Sequence, residues 1–169
     1  FEKKNMKIFG PNKNAAQLEG SKIFMKNFCK EFSIPTAKFD EIKNKQEALE
    51  KLKKYSFPVV IKSDGLAAGK GVTICKNLKE AIKDIDEIIN GKFDSSNKVF
   101  IEEFLTGEEL SYFVISDGKS FINIGNAQDH KKIGEGDVGL NTGGMGAYSP
   151  SVVLNDKIEK KIINKIIDP

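Results

Sequence analysis

No arginine occurs in this chain of 169 residues, and all 27 of its basic residues are lysine. Any phosphate or carboxylate it grips is therefore met by compact ammonium charges, without the bidentate fork of a guanidinium. Histidine is nearly as scarce. His130 stands alone between Asp129 and Lys131, a candidate base for which a hydrogen-bonding spacer is the preferred reading. The two cysteines, Cys29 and Cys75, lie in apolar runs without metal-ligand spacing. They read as buried thiols of a reducing cytoplasm, with a bridge between them left open. No Ser-His-Asp order, cysteine-nucleophile arrangement or zinc spacing appears, so nothing points to covalent or zinc chemistry. No run approaches the ~18 apolar residues of a membrane span, and FEKKNMKIFGP lacks the apolar centre of a signal peptide. The net charge of +3 is too mild to argue for nucleic acid. Lysines such as Lys43, Lys45, Lys51, Lys53 and Lys54 scatter along helical faces, as on a solvated surface.

What is present is an ordinary globular composition, 39% apolar and 30% charged, with length for about one domain and a real core. Helical and extended patterns alternate without repeats, which gives an α/β class in the α+β sense. Strands are expected at 6–9, 36–39, 59–62, 72–75, 98–104, 109–116 and 120–124. Helices are expected at 14–32, 45–55 and 157–167, and after Asn77, which caps a helix ending at Asn90-Gly91. Gly20-Ser21 is expected to break the first helical segment and cap its continuation. Residues 125–150 read as a long functional loop, too glycine-rich for an ordinary connection. Both ends read as cut: the chain opens without Met and stops at Asp168-Pro169 after a helical run, so a piece of a larger protein is expected.

Three constellations carry chemistry. In PVVIKSDGLAAGKGVTIC, from Pro58 to Cys75, a lysine closes an apolar run and a glycine-rich loop leads into a second run. Gly65, Gly69 and Gly71 can expose backbone N–H groups to a ligand, while Lys62 and Lys70 supply charge. A Walker A loop has four residues between its first glycine and Gly-Lys, then Ser or Thr; here three residues intervene and Gly71 follows. A dinucleotide fingerprint opens a helix, yet Val72, Thr73 and Ile74 are β-branched. The loop is thus the tip of a hairpin that grips polyphosphate by amides and lysines, or else a bare glycine turn.

The second is VFIEEFLTGEELSYFVI, where Glu102, Glu103, Glu108 and Glu109 crowd two strands flanking Thr106-Gly107. Like charges so close repel. They fit either a ligand that donates hydrogen bonds or an edge hairpin with solvated glutamates. The backbone of Glu103, Phe104 and Leu105 can pair with an adenine edge, Glu102 can meet its amino group, and Glu109 can accept from ribose hydroxyls. The third is NAQDHKKIGEGDVGLNTGGMGAYSP, in which Asn141, Thr142, Gly143, Gly144, Met145 and Gly146 form a run suited to an anion nest.

Together GPNKNAAQLEGSKIFMKNF, IPTA, PVVIKSDGLAAGKGV, VFIEEFLTGEE and QDHKKIGEGDVGLNTGGMGAYSP resemble, in content and order, the glycinamide ribonucleotide synthetases of the ATP-grasp superfamily. The resemblance covers nearly the whole chain; QDHK with NTGGMGAYSP is its specific part. It implies an ATP-grasp fold: 1–12 the end of an amino-terminal domain or linker, 13–38 the first part of a central lobe, 39–107 a small nucleotide-binding lobe, and 108–169 a truncated continuation of the central lobe. It implies that Lys22 and Lys62 contact ATP phosphates under the 65–71 loop, that Glu102, Glu103, Phe104 and Leu105 hold adenine and Glu109 the ribose. It also implies that Asp129, His130, Lys131, Asn141, Thr142, Gly143, Gly144 and Met145 face the acceptor side, where glycine and 5-phosphoribosylamine bind.

The implied reaction is attack of the glycine carboxylate on the γ-phosphate of ATP, then attack of the phosphoribosylamine nitrogen on glycyl phosphate. Glycinamide ribonucleotide, ADP and phosphate result, in purine biosynthesis in the cytoplasm. Such chemistry is positioning and charge neutralisation, which amides, lysines and Mg2+ supply. The resemblance places the Mg2+ ligands outside this segment, and the segment alone is expected to be inactive. Ser63 and Leu140 are small departures, where alanine and proline are commoner in the family. Two other readings stay open: another ATP-grasp carboxylate-amine ligase, and a noncatalytic nucleotide- or polyanion-binding module. No nucleic-acid or membrane partner is expected, and the oligomeric state is unread.

Overall fold

The computed structural model describes residues 2–65, 71–93, 97–136 and 138–169 and divides into two compact units, Phe1–Leu105 and Thr106–Pro169. In the first unit the helices α1 (Gln17–Gly20) and α2 (Lys22–Glu31) are followed by β1 (Phe39–Ile42), α3 (Lys45–Leu52), β2 (Val59–Ser63), β3 (Val72–Cys75), α4 (Leu78–Ile89) and β4 (Val99–Glu103). The four strands form one antiparallel sheet in the order β1-β4-β2-β3.

Strand alternation sends Val59, Ile61, Val99 and Ile101 to one face, where they close a core with Ile42, Ala48, Leu52, Ala81, Ile85 and Ile88 from β1, α3 and α4. Fully burying an aliphatic side chain of this kind is worth about 1.5–3 kcal/mol, so this face holds the unit together. The opposite face carries Val60, Lys62, Phe100 and Glu102, and it is this face that bears the polar site.

α2, α3 and α4 each start where a short polar side chain satisfies an orphan amide. The Phe24 amide donates to Ser21 Oγ at 3.1 Å, the Glu47 amide to Asn44 Oδ1 at 2.9 Å and the Glu80 amide to Asn77 Oδ1 at 3.0 Å. Gly91, at φ 89°, ends α4 in the left-handed conformation that glycine tolerates. Cys29 and Cys75 are separate buried thiols, and burial, aided by Asp84, pushes the Cys75 thiol up to about 11.

The second unit contains β5 (Ser111–Ser116), β6 (Phe121–Asp129), β7 (Lys132–Gly134), β8 (Val138–Asn141), β9 (Ala147–Tyr148) and α5 (Asp156–Ile162), the last continued by a wider helical turn at Ile163–Ile167. β6 lies between β5 and β9, while β7 and β8 form their own hairpin. Ser151 is the only buried residue among the described residues of this unit, and Ile122, Ile124, Ile133 and Leu140 stay exposed. Side-chain hydrogen bonds link its elements. The Tyr112 hydroxyl and the Asn123 side-chain amide both donate to Glu159 on α5, and the Ser151 amide donates to Asn126 Oδ1 at 2.7 Å.

Three expectations change. Residues 6–9 form no strand, and all four are exposed, without a sheet partner to reward an extended backbone. The strand expected at 36–39 begins at Phe39 instead, because Thr36 and Ala37 turn their polar groups to Lys26. Residues 125–150 are largely strand, since β6 runs on through Asn126 and Gln128 by ladder pairing that polar side chains do not advertise.

Candidate functional site

Two lysines converge on one buried carboxylate in the first unit. Lys26 on α2 ion-pairs with Glu102 Oε1, and Lys62 on β2 ion-pairs with Glu102 Oε2. The strand register brings this about: Val60 lies opposite Glu102 and Lys62 opposite Phe100, so Lys62 and Glu102 are diagonal neighbours on one face. The side chains of Lys26 and Glu102 are 4% and 6% exposed, whereas that of Lys62 is 26% exposed. Desolvation makes such charges costly unless they are paired, and here they are. The Lys26 ammonium also donates to Thr36 Oγ1 at 2.6 Å and to the Ala37 carbonyl at 3.1 Å. All three of its donors are thereby used. Any contact from Glu102 to an adenine amino group competes with these two ammonium groups.

The root of the glycine loop is tied to the start of α2. Lys22 Nζ donates to the carbonyls of Ser63 at 3.1 Å and Gly65 at 2.6 Å, the residues on either side of Asp64. The buried Asp64 carboxylate accepts from Ser21 Oγ at 2.9 Å and from the Ile23 amide at 3.1 Å, placing negative charge at a helix N-terminus. Ser63 and Gly71 close the hairpin through an amide-to-carbonyl bond of 2.9 Å, and Gly65 takes φ 80°. The loop is therefore flanked by two antiparallel strands. Gly69 and Lys70 lie outside the described residues. Beyond β4, the Glu103 amide donates to the Lys38 carbonyl and Glu103 Oε1 accepts from the Lys38 amide at 2.7 Å, while Phe104 and Leu105 are exposed.

In the second unit Lys131 bridges Glu109 at 2.8 Å and Asp129 at 3.0 Å. The hydrogen bond from Lys131 holds the Asp129 carboxyl below its usual range, and the two carboxylates, Glu109 first, raise the Lys131 ammonium. His130 is bound through its backbone: its amide donates to the Gly146 carbonyl at 2.9 Å, and its carbonyl accepts from the Thr142 hydroxyl. Its ring lies 5.6 Å from that of Tyr148. Asn141 pairs with Lys132 across β7 and β8; Gly143 and Gly144 follow at φ 67° and 84°, with the Gly144 amide directed at Thr142 Oγ1, and Met145 projects outward at 82% exposure. The structure thus gathers Glu109, Asp129 and Lys131 in one cluster, and Lys62, Glu102 and Lys26 in another.

The sequence reading missed Lys26, Asp64 and Thr36, and had Ser21 only as the helix cap that it is, not as a partner of Asp64. Lys26 had one available signal, its position four residues after Lys22 on the same helical face. The donor set does not fit a divalent cation: no group of three His, Cys, Asp or Glu converges among the described residues, and Glu102, Glu109 and Asp129 are each taken up by lysine.

A four-stranded antiparallel sheet with α3 and α4 on one face and the Lys26–Glu102–Lys62 site on the other gives the first unit an ATP-grasp type of fold. Residues 20–169 match the phosphoribosylglycinamide synthetase, ATP-grasp (A) domain family, and the chain belongs to that family. The resemblance carried by QDHK and NTGGMGAYSP therefore holds. The chain is 49% identical over 163 residues to the chloroplastic phosphoribosylamine-glycine ligase of Arabidopsis thaliana, covering 95% of this chain and 31% of that protein. The crystal structure of phosphoribosylamine-glycine ligase from Thermotoga maritima is 42% identical and superposes with a TM-score of 0.84, over 92% of this chain and 40% of that one. The biotin carboxylase domain of the Hydrogenobacter thermophilus 2-oxoglutarate carboxylase, at 20% identity and TM-score 0.75 over 94% of this chain and 35% of that one, shares the fold. The chain spans 31% of the length of the first of these relatives and 40% of the second. No helix among the described residues is long and apolar enough to cross a membrane.

Proposed function

We propose that this chain is the nucleotide-gripping part of an ATP-dependent phosphoribosylamine-glycine ligase. The observation that carries the reading is Lys62, held on a buried carboxylate at the root of a glycine hairpin, in a chain that belongs to this family. In the proposed roles Lys62, Lys22 and Lys70 neutralise the phosphates while Gly65, Gly69 and Gly71 close amides over them. The backbone of Glu103, Phe104 and Leu105 reads the adenine edge, with Glu102 acting through Lys62, and Glu109 accepts from the ribose. Asp129, His130, Lys131 and the run Asn141, Thr142, Gly143, Gly144 and Met145 receive glycine and 5-phosphoribosylamine.

The glycine carboxylate oxygen bonds to the γ-phosphorus as the bond to ADP breaks. The amine then displaces phosphate from the acyl carbon. Neither step needs a protein nucleophile, and orientation with charge neutralisation supplies the rate. Mg2+ would accompany ATP and add charge neutralisation at its phosphates, with its ligands proposed to lie outside this chain. Residues 39–107 are proposed as the small lobe and 13–38 with 108–169 as parts of the central lobe of a cytoplasmic enzyme.

Lys62→Ala removes a charge-assisted contact and is expected to weaken ADP binding by about 1.5–3 kcal/mol. Titration calorimetry on the whole chain reads it, and an unchanged affinity removes Lys62 from the phosphate site. In a protein of the relatives' full length, ADP release is expected to depend on glycine; equal release with other small carboxylates would favour a different ATP-grasp ligase.

A further inference from the structure

We infer that Lys26 is a positioning residue: it neutralises Glu102 from the buried side, which leaves Lys62 a net positive charge to present to a nucleotide phosphate. The inference rests on the nucleotide reading above and adds a residue and a charge balance to it.

Two ammonium groups and one carboxylate leave this triad with one net positive charge. Its members differ in what they have left to give. Lys26 is saturated, its three donors spent on Glu102, Thr36 Oγ1 and the Ala37 carbonyl, and its Nζ sits 5.8 Å from the centre of the Phe39 ring, away from water. It cannot turn toward a ligand without abandoning buried acceptors. Lys62 is paired at Glu102 Oε2, is partly exposed, and is the penultimate residue of β2, just before the glycine loop. Were Lys26 absent, Glu102 and Lys62 would form a neutral pair, and an arriving phosphate would compete with a carboxylate that has no other cation. With Lys26 in place the carboxylate is already satisfied on one oxygen, so Lys62 can lean to a phosphate at small cost. Lys26 therefore acts on the ligand through Glu102, without touching it.

The charge balance sets the test. Lys26→Met brings the triad to zero, while the double variant Lys26→Met with Glu102→Gln returns it to one net positive charge on Lys62. ADP and adenosine are titrated calorimetrically into the whole chain, with far-ultraviolet circular dichroism confirming that each variant is folded. Lys26→Met is expected to lower ADP affinity about tenfold and leave adenosine affinity unchanged, since the effect is confined to the phosphates. The double variant is expected to bind ADP within about threefold of Glu102→Gln alone, because Lys26 acts only through the Glu102 carboxylate. Should Lys26→Met fail to fold, the comparison of the double variant with Glu102→Gln alone decides: folded and about tenfold weaker than Glu102→Gln, the double variant overturns the role given to Lys26. Unaltered ADP affinity in Lys26→Met, or an equal loss for adenosine, overturns it too. Failure of the unsubstituted chain to bind ADP is a separate result that overturns the nucleotide reading itself, and this inference with it.

Discussion

Two clusters in this chain use ammonium and carboxylate groups in inverse proportion. In the first unit one carboxylate, Glu102, is shared by two lysines and shut away from water; in the second one lysine, Lys131, is shared by two carboxylates, at 46% exposure beside a Glu109 that is 67% exposed. The number of ion pairs is equal, and their energetic meaning is not. Where water is excluded, removing one partner strands a charge that nothing else can solvate. Where water is present, the solvent takes the place of the lost partner and the pair contributes little. The same contrast holds for the apolar residues: the first unit closes Ile61, Ile85 and Ile101 into a core, while the second leaves Ile122, Ile124 and Leu140 in contact with solvent.

The largest effect that can break this comparison comes from Glu102→Ala. It leaves the Lys26 ammonium buried without its carboxylate and is expected to destabilise the first unit by about 3–5 kcal/mol in urea unfolding. A loss under about 1 kcal/mol would mean that the triad behaves like a surface pair. Next comes the weakening of ADP binding by Lys62→Ala given above. Smaller still, Lys131→Met should cost less than about 1 kcal/mol, and what it costs should vanish at high salt. A larger, salt-insensitive loss would show the second cluster to be shielded from solvent.

The smallest effect is the pH dependence of the exposed cluster. Asp129 is lowered in the folded chain, so its contribution is present above the usual aspartate range and is lost as pH falls through the depressed value. Lys131 is raised, so its contribution is present below the usual lysine range and is lost as pH rises past the elevated value. Carboxyl carbon NMR of Asp129 should give a midpoint below that of an unstructured aspartate. A midpoint at or above it would remove the Lys131 pair from solution.

Much of the first unit is legible in the residue order. Val72 to Ile74 is a β-branched run directly after Gly71 and falls in β3, and Asn77 with Glu80 three residues on marks the start of α4. Gly91 marks its end. The 125–150 region was not legible as strand, because its pairing is made by backbone and by side chains such as Asn126, Gln128 and Ser151 that carry no apolar period. The site divides likewise: Lys62 is conspicuous at the mouth of a glycine loop, while Lys26 looks like any helical lysine.

By itself the residue order determines the hairpin, the glycine loop, the capped helices and the motifs of an ATP-grasp family, because these depend on neighbours a few positions away and on backbone freedom at glycine. Only the tertiary structure decides that Glu102 is buried, that Lys26 reaches it from a helix 76 positions earlier in the chain, and that Lys22 and Asp64 tie the loop root to α2. Burial and charge balance are properties of the assembled sheet face, set by which groups share a dry space, and no local pattern of residues records that.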